Sequence, residues 1–192
     1  DLRERPGMSI YLSFKPGEIG AFAGIIRLIF QQHVDMLTRE FRHGALKHPI
    51  TFFLDELPQL GYMPSLNAML DVGRGAGLRL WMFAQFLGQL REIYHQRADG
   101  IVGATQIRCF QQPDNEAAHM LSGMLGRTRS LLDGEQKPLA YPHELAGREH
   151  GDKVVVVARG EHPCLLETRK AYTYLSREMS VPPPVVPTVA DT

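Results

Sequence analysis

The chain has 192 residues, enough for one sizeable hydrophobic core and better matched to one domain than to two. Its 21 acidic and 21 basic side chains cancel, so no net field draws it to nucleic acid or an anionic membrane, and any such contact has to be local. No stretch is apolar for long enough to cross a bilayer, since even residues 21–30 contain Arg27 and run into Gln31-Gln32-His33, and the Asp1-Leu2-Arg3-Glu4-Arg5 start lacks the apolar centre of a signal peptide. The chain as given is therefore expected to be soluble. Its two cysteines, Cys109 and Cys164, lie in apolar strand-like stretches and are expected to be reduced and buried, as suits a cytoplasmic setting.

In chain order, residues 8–14 are rich in β-forming side chains and stop at Lys15-Pro16-Gly17, which reads as a strand and a turn. From residue 18 to about 41, Ile19, Phe22, Ala23, Ile26, Ile29, Phe30, Val34 and Leu37 recur at three and four, the period of a long helix packed on a sheet. Residues 50–54 are a continuous apolar strand ending in Asp55-Glu56. A loop with Pro58 and Gly61 follows, then a short helix over 65–72 broken by Gly73-Arg74-Gly75-Ala76-Gly77, and a second apolar strand over 78–84 ending in Gln85. Trp81 and Phe83 in that strand are expected to be core. A helix is predicted from there to about Arg97, a short strand at 107–110, and a helix begun by Pro113-Asp114 and ended by Leu125-Gly126. Residues 153–158 and 163–168 flank Arg159-Gly160-Glu161-His162 as a hairpin that would add an antiparallel edge. Strands alternating with helices imply crossovers, hence an α/β domain with a doubly wound, mainly parallel sheet. The domain is expected over residues 1–178, with 179–192 a proline-rich tail.

Buried parallel strands present catalytic groups at their carboxyl ends. That rule singles out Asp55, Glu56 and Gln85 as one half of a nucleotide-hydrolysing site. Asp55 is the candidate metal ligand, holding Mg²⁺ mostly through its water shell and, with it, the phosphates of ATP. Glu56 is placed to activate the attacking water, and the Gln85 amide, which both donates and accepts, can meet that water or the terminal phosphate. Taken alone, Asp55-Glu56 more commonly marks a strand running into a polar loop, and Arg74 alone reads as a solvated loop arginine. The sequence contains no Gly-x-x-x-x-Gly-Lys-Ser/Thr phosphate loop, so it carries half an ATP site. Eight histidines are scattered without metal-site spacing. Cys109 reads as an inert core thiol, and Arg127, Arg129 and Lys137 as a solvated loop that could touch DNA.

Phe52-Phe53-Leu54-Asp55-Glu56-Leu57-Pro58-Gln59-Leu60-Gly61, followed by Gly73-Arg74-Gly75-Ala76-Gly77-Leu78-Arg79-Leu80-Trp81, Gln85 and Gln89-Leu90, resembles the TraG/TraD-like coupling proteins of type IV secretion and conjugation. The resemblance extends from residue 8 to about Gly160. It implies a RecA-like P-loop NTPase fold, here partial because the phosphate-loop half is absent. It also implies a homo-hexameric, membrane-anchored motor at the cytoplasmic face of a bacterial inner membrane, which passes a relaxase–DNA complex or a secreted protein to the type IV secretion channel. On that resemblance Asp55 and Glu56 fall on the Walker B positions, Gln85 on the motif III glutamine, and Arg74 on a trans-acting arginine. The isolated chain is then expected to be inactive without its upstream half. The alternatives are a non-catalytic protein-binding module of the same fold and a related DNA translocase.

Overall fold

The spacing of Ala23, Phe30, Val34 and Leu37 puts these side chains on one stripe of a helix, and all four are buried along α1, Ile19–Phe41. The computed structural model describes residues 7–15, 17–41, 48–129, 134–170, 173 and 175. It divides into two units, Asp1–Gln106 and Ile107–Thr192.

In the first unit α1 lies against the strand β1, Ile50–Leu54, where the rings of Phe30 and Phe52 meet edge-on with centroids 5.2 Å apart. Arg27 on the same helix donates from Nη1 to the Leu60 carbonyl at 2.8 Å, tying α1 to a 3₁₀ turn, Leu57–Leu60. Next come α2, Pro64–Val72, and the strand β2, Leu78–Met82. β1 and β2 pair in parallel from Ile50 opposite Leu78 to Leu54 opposite Met82. Parallel neighbours need a crossover of a dozen residues or so, which the turn and α2 supply. α3, Leu87–Tyr94, and α4, Arg97–Ala104, complete the unit.

The sequence predicts one helix from Gln85 to about Arg97, whereas the structure ends α3 at Tyr94 and adds α4, which the sequence reading does not include. The helix breaks because His95 takes φ 50°, a left-handed backbone, before Gln96 restarts it. Gly100 and Gly103 hide α4 from propensity, yet Ala98 and Ile101 bury fully enough to hold it. Burial raises the pKa of the Tyr94 hydroxyl, which donates to the Gly61 carbonyl at 3.3 Å.

Residues 8–14 form no strand. A strand exists only with a hydrogen-bonded partner, and none of the described residues pairs with this stretch, so Ile10, Tyr11 and Leu12 stand exposed.

The second unit begins with β3, Ile107–Gln111, and α5, Asn115–Leu125. A small hairpin follows, β4, Arg127–Arg129, with β5, Gln136–Pro138, and it carries the three basic residues expected in a loop. Then come α6, Pro142–Leu145, a 3₁₀ turn, Arg148–His150, and the strands β6, Lys153–Ala158, and β7, Cys164–Glu167. The expected hairpin is present, but β6 is central: the sheet order is β3-β6-β7, antiparallel throughout. Parallel pairing among the described residues is thus confined to β1 and β2. Val155 and Val157 of β6 face α5 and α6, forming a core with Ala118, Leu121 and Leu145.

α5 starts where the sequence places it because the Asp114 carboxylate accepts from the Ala117 amide at 2.8 Å, filling one of the orphan donors of the first turn. Asp114→Ala is expected to lower stability by about 0.5–2 kcal/mol, read from a urea titration followed by circular dichroism.

Neither cysteine is buried. Both are free and exposed: Cys109 and Cys164 stand opposite Val156 from either side, on the sheet face turned away from Val155 and Val157. Alternation along the strands decides this, since an apolar run alone does not say which face is covered. Two strand spacings, about 10 Å, separate them, too far for a disulfide. Partial burial, then the Cys164 sulfur, raise the Cys109 thiol pKa, so the site favours an inert thiol over a nucleophile. The proline-rich tail expected at 179–192 lies outside the described residues.

Candidate active site

β1 and β2 end side by side, and backbone bonds carry their pairing one step beyond the strands. The Phe83 amide donates to the Leu54 carbonyl at 3.1 Å, and the Leu57 amide donates to the Phe83 carbonyl at 2.9 Å. Both anchors are on Phe83, so Asp55 and Glu56 between them are pushed out of the ladder as a two-residue bulge. Glu56 closes this bulge with φ 51° and ψ 52°, a left-handed conformation that costs a non-glycine residue about 1 kcal/mol or more. Its carbonyl then accepts from the Gln59 amide at 2.9 Å, starting the 3₁₀ turn.

On this platform Asp55 is exposed and Glu56 half-buried. Gln85, two residues beyond the Phe83 anchor, donates from Nε2 to Glu56 Oε2 at 2.8 Å. The structure therefore brings Asp55, Glu56 and Gln85 together at one pair of strand tips. The Glu56–Gln85 hydrogen bond itself leaves no trace in linear spacing, because only the β1–β2 register sets the two side chains opposite each other.

Arg74 is not part of this cluster. It precedes β2, in a turn where the Gly77 amide donates to the Arg74 carbonyl at 3.2 Å and the Ile50 amide to the Gly77 carbonyl at 3.2 Å. That puts it at the opposite, amino-terminal end of both strands, about 17 Å away along five strand residues. Glycine is required at two places here: a Cβ on Gly73 would run into the Met69 carbonyl oxygen, and Gly77 takes φ 74°.

Trp81 and Phe83 are not core. Trp81 in β2 and Phe83 just beyond it alternate with Leu80 and Met82 and line the outward face with Phe53, at 45 %, 45 % and 66 % exposure. Their rings stack at centroid separations of 6.2 Å for Phe53–Trp81 and 6.5 Å for Trp81–Phe83. The inward face, with Phe52, is the one that meets α1.

As for metal, no group of three or more histidine, cysteine, aspartate or glutamate side chains converges among the described residues. A single exposed carboxylate suits Mg²⁺, which keeps several waters and takes one or two protein carboxylates beside its phosphate ligands.

The family model for type IV secretory system conjugative DNA transfer matches residues 1–185. The chain belongs to this family. Among curated members of such systems, it is 28 % identical over 175 residues to the probable conjugal transfer protein TraG of Sinorhizobium fredii, covering 80 % of this chain and 27 % of TraG. It is 25 % identical over 196 residues to VirD4 of Agrobacterium fabrum, covering 92 % of this chain and 29 % of VirD4. The chain thus spans little more than a quarter of the length of these relatives. Solved structures of the conjugative coupling protein TrwB superpose on it with a TM-score of 0.73 for the unbound form, at 20 % identity over 87 % of this chain and 42 % of TrwB. A TrwB complex with ADP and Mg²⁺ gives a TM-score of 0.73 at 21 % identity, over 87 % of this chain and 41 % of TrwB. The fold is the RecA-like P-loop NTPase fold of these coupling proteins, with parallel and antiparallel sheets.

Proposed function

We propose that this conjugative DNA-transfer family member is the carboxyl-terminal part, residues 1–178, of the motor domain of a coupling ATPase, and that it carries the hydrolysis half of the site. The observation that carries the reading is the bulge at Asp55-Glu56 with Gln85 hydrogen-bonded to it. Asp55 would hold Mg²⁺, which supplies charge neutralisation on the β- and γ-phosphates of ATP. Glu56 would take the proton of the attacking water. The complexes of TrwB with ADP and Mg²⁺ and with the analogue ADPNP support ATP and Mg²⁺ as the cofactors.

Arg74 fits a role in trans. It is exposed, and its distance from Asp55 along the strands keeps it from serving the site of its own chain, so it would reach a neighbouring subunit's γ-phosphate in a homo-hexamer. The complete motor would couple a relaxase, its DNA or a secreted protein to the type IV secretion channel at the inner membrane. No helix among the described residues is long and apolar enough to cross a membrane. A non-catalytic binding module is the second reading. The outward face bearing Phe53, Trp81 and Phe83 favours it, as a surface with room for a partner.

The two readings part on nucleotide chemistry. In the complete gene product that contains this chain, ATP turnover is expected to require Mg²⁺, and Asp55→Ala should weaken Mg²⁺-dependent ATP binding about tenfold, the scale of one lost charge-assisted contact. A product that neither binds nor turns over ATP is the binding module.

A further inference from the structure

We propose that Gln85 is a positioning residue that acts through Glu56: its side-chain amide pins one carboxylate oxygen and leaves the other to accept the proton of the attacking water. The proposal rests on the ATPase reading above and adds a role for Gln85 that no contact with the nucleotide is needed to explain. A carboxylate can only accept, so the side-chain NH₂ of Gln85, not its carbonyl, faces Glu56. One oxygen, Oε2, is taken by this bond, and no described partner occupies Oε1.

Without Gln85 no described hydrogen bond would hold the carboxylate of Glu56. Its backbone is fixed by the Phe83 anchors on Leu54 and Leu57 and by the Gln59 amide on its own carbonyl, but these bonds do not constrain the torsions beyond Cα. The left-handed φ aims the side chain across the tips of β1 and β2, and the amide at 2.8 Å selects one rotamer. The strand register thus delivers both halves of the device, Glu56 on the bulge and Gln85 beyond the neighbouring tip.

In the reaction, the water oxygen bonds to the terminal phosphorus as the bond from that phosphorus to the bridging oxygen breaks. One water proton passes to Glu56 Oε1 and is later released to solvent, leaving ADP and inorganic phosphate. A carboxylate displaced by even 1 Å would lose much of its effect.

The test is a double-mutant cycle in the complete gene product. Gln85→Ala should lower kcat about ten- to hundredfold, with KM for ATP and the Kd of ADPNP unchanged. In a Glu56→Ala background the same change should cost nothing further, because the group it positions is gone. An equal loss in both backgrounds, or a weaker ADPNP complex, would overturn the proposal and leave Gln85 a phosphate contact. A nucleotide-free readout separates its fate from that of the ATPase reading. The Gln85 side-chain amide resonance, identified by its loss in Gln85→Ala, should shift in Glu56→Ala, and a resonance that stays in place overturns the pinning. A shifted resonance in a wild-type protein without ATP turnover overturns the ATPase reading, and the catalytic role of the pin with it.

Discussion

Glu56→Gln in the complete gene product should lower ATP turnover by about 10²–10⁴-fold, the range lost with a general base, while leaving ADPNP binding near the wild-type level. The substitution is nearly isosteric. A glutamine at this position still offers an oxygen to the Gln85 amide, and it meets the same backbone requirement at φ 51°, so the bulge anchored on Phe83 should persist. What disappears is the negative charge and basicity that draw a proton from water. Steady-state turnover measured beside equilibrium binding of ADPNP separates these effects. Normal turnover would remove Glu56 from the chemistry and leave Asp55 with a metal role alone. Loss of binding together with turnover would instead mean that the tip of β1 had rearranged.

The strand at residues 50–54, the helix from residue 19 and the Asp114 start of α5 were legible because each depends on local pattern: a continuous apolar run, a three-and-four stripe, a capping carboxylate. The proximity of Asp55, Glu56 and Gln85 was legible one level higher, from the rule that parallel strands gather their carboxyl ends. The failures share a cause. Residues 8–14 have the composition of a strand, but composition supplies no partner. Trp81, Cys109 and Cys164 are apolar and lie on strands, and Phe83 follows directly on β2, yet each points to a face that no described element covers. Burial is a property of the neighbour as much as of the residue. The central place of β6 and the Glu56–Gln85 bond are likewise matters of pairing between distant segments, and a linear pattern encodes the segments without their register.

Leu121→Ala should be the most damaging single truncation in the second unit, at about 2–5 kcal/mol and toward the upper end of that range. Leu121 is fully buried on α5, among Ala118, Leu145, Val155 and Val157, with Phe110 and Met124 packed against the cluster. The cost depends on how far these neighbours can close over the lost side chain. On one side, Val155 and Val157 belong to β6, which is hydrogen-bonded to β3 and β7 on both edges and cannot move inward without distorting two ladders. On the other, Ser122, the next residue along α5, donates from Oγ to the Ala140 carbonyl at 2.6 Å, fixing the helix to the segment that leads into α6. Neither wall is free to collapse, so most of the cavity should remain. Urea unfolding followed by far-ultraviolet circular dichroism should show a lower midpoint at unchanged slope, which marks a change in stability without a change in the surface exposed. The fluorescence of Trp81, the sole tryptophan, reports the first unit. A loss below about 1 kcal/mol by circular dichroism would mean that α5 moves onto the sheet after all, and that the Ser122 bond does not hold it.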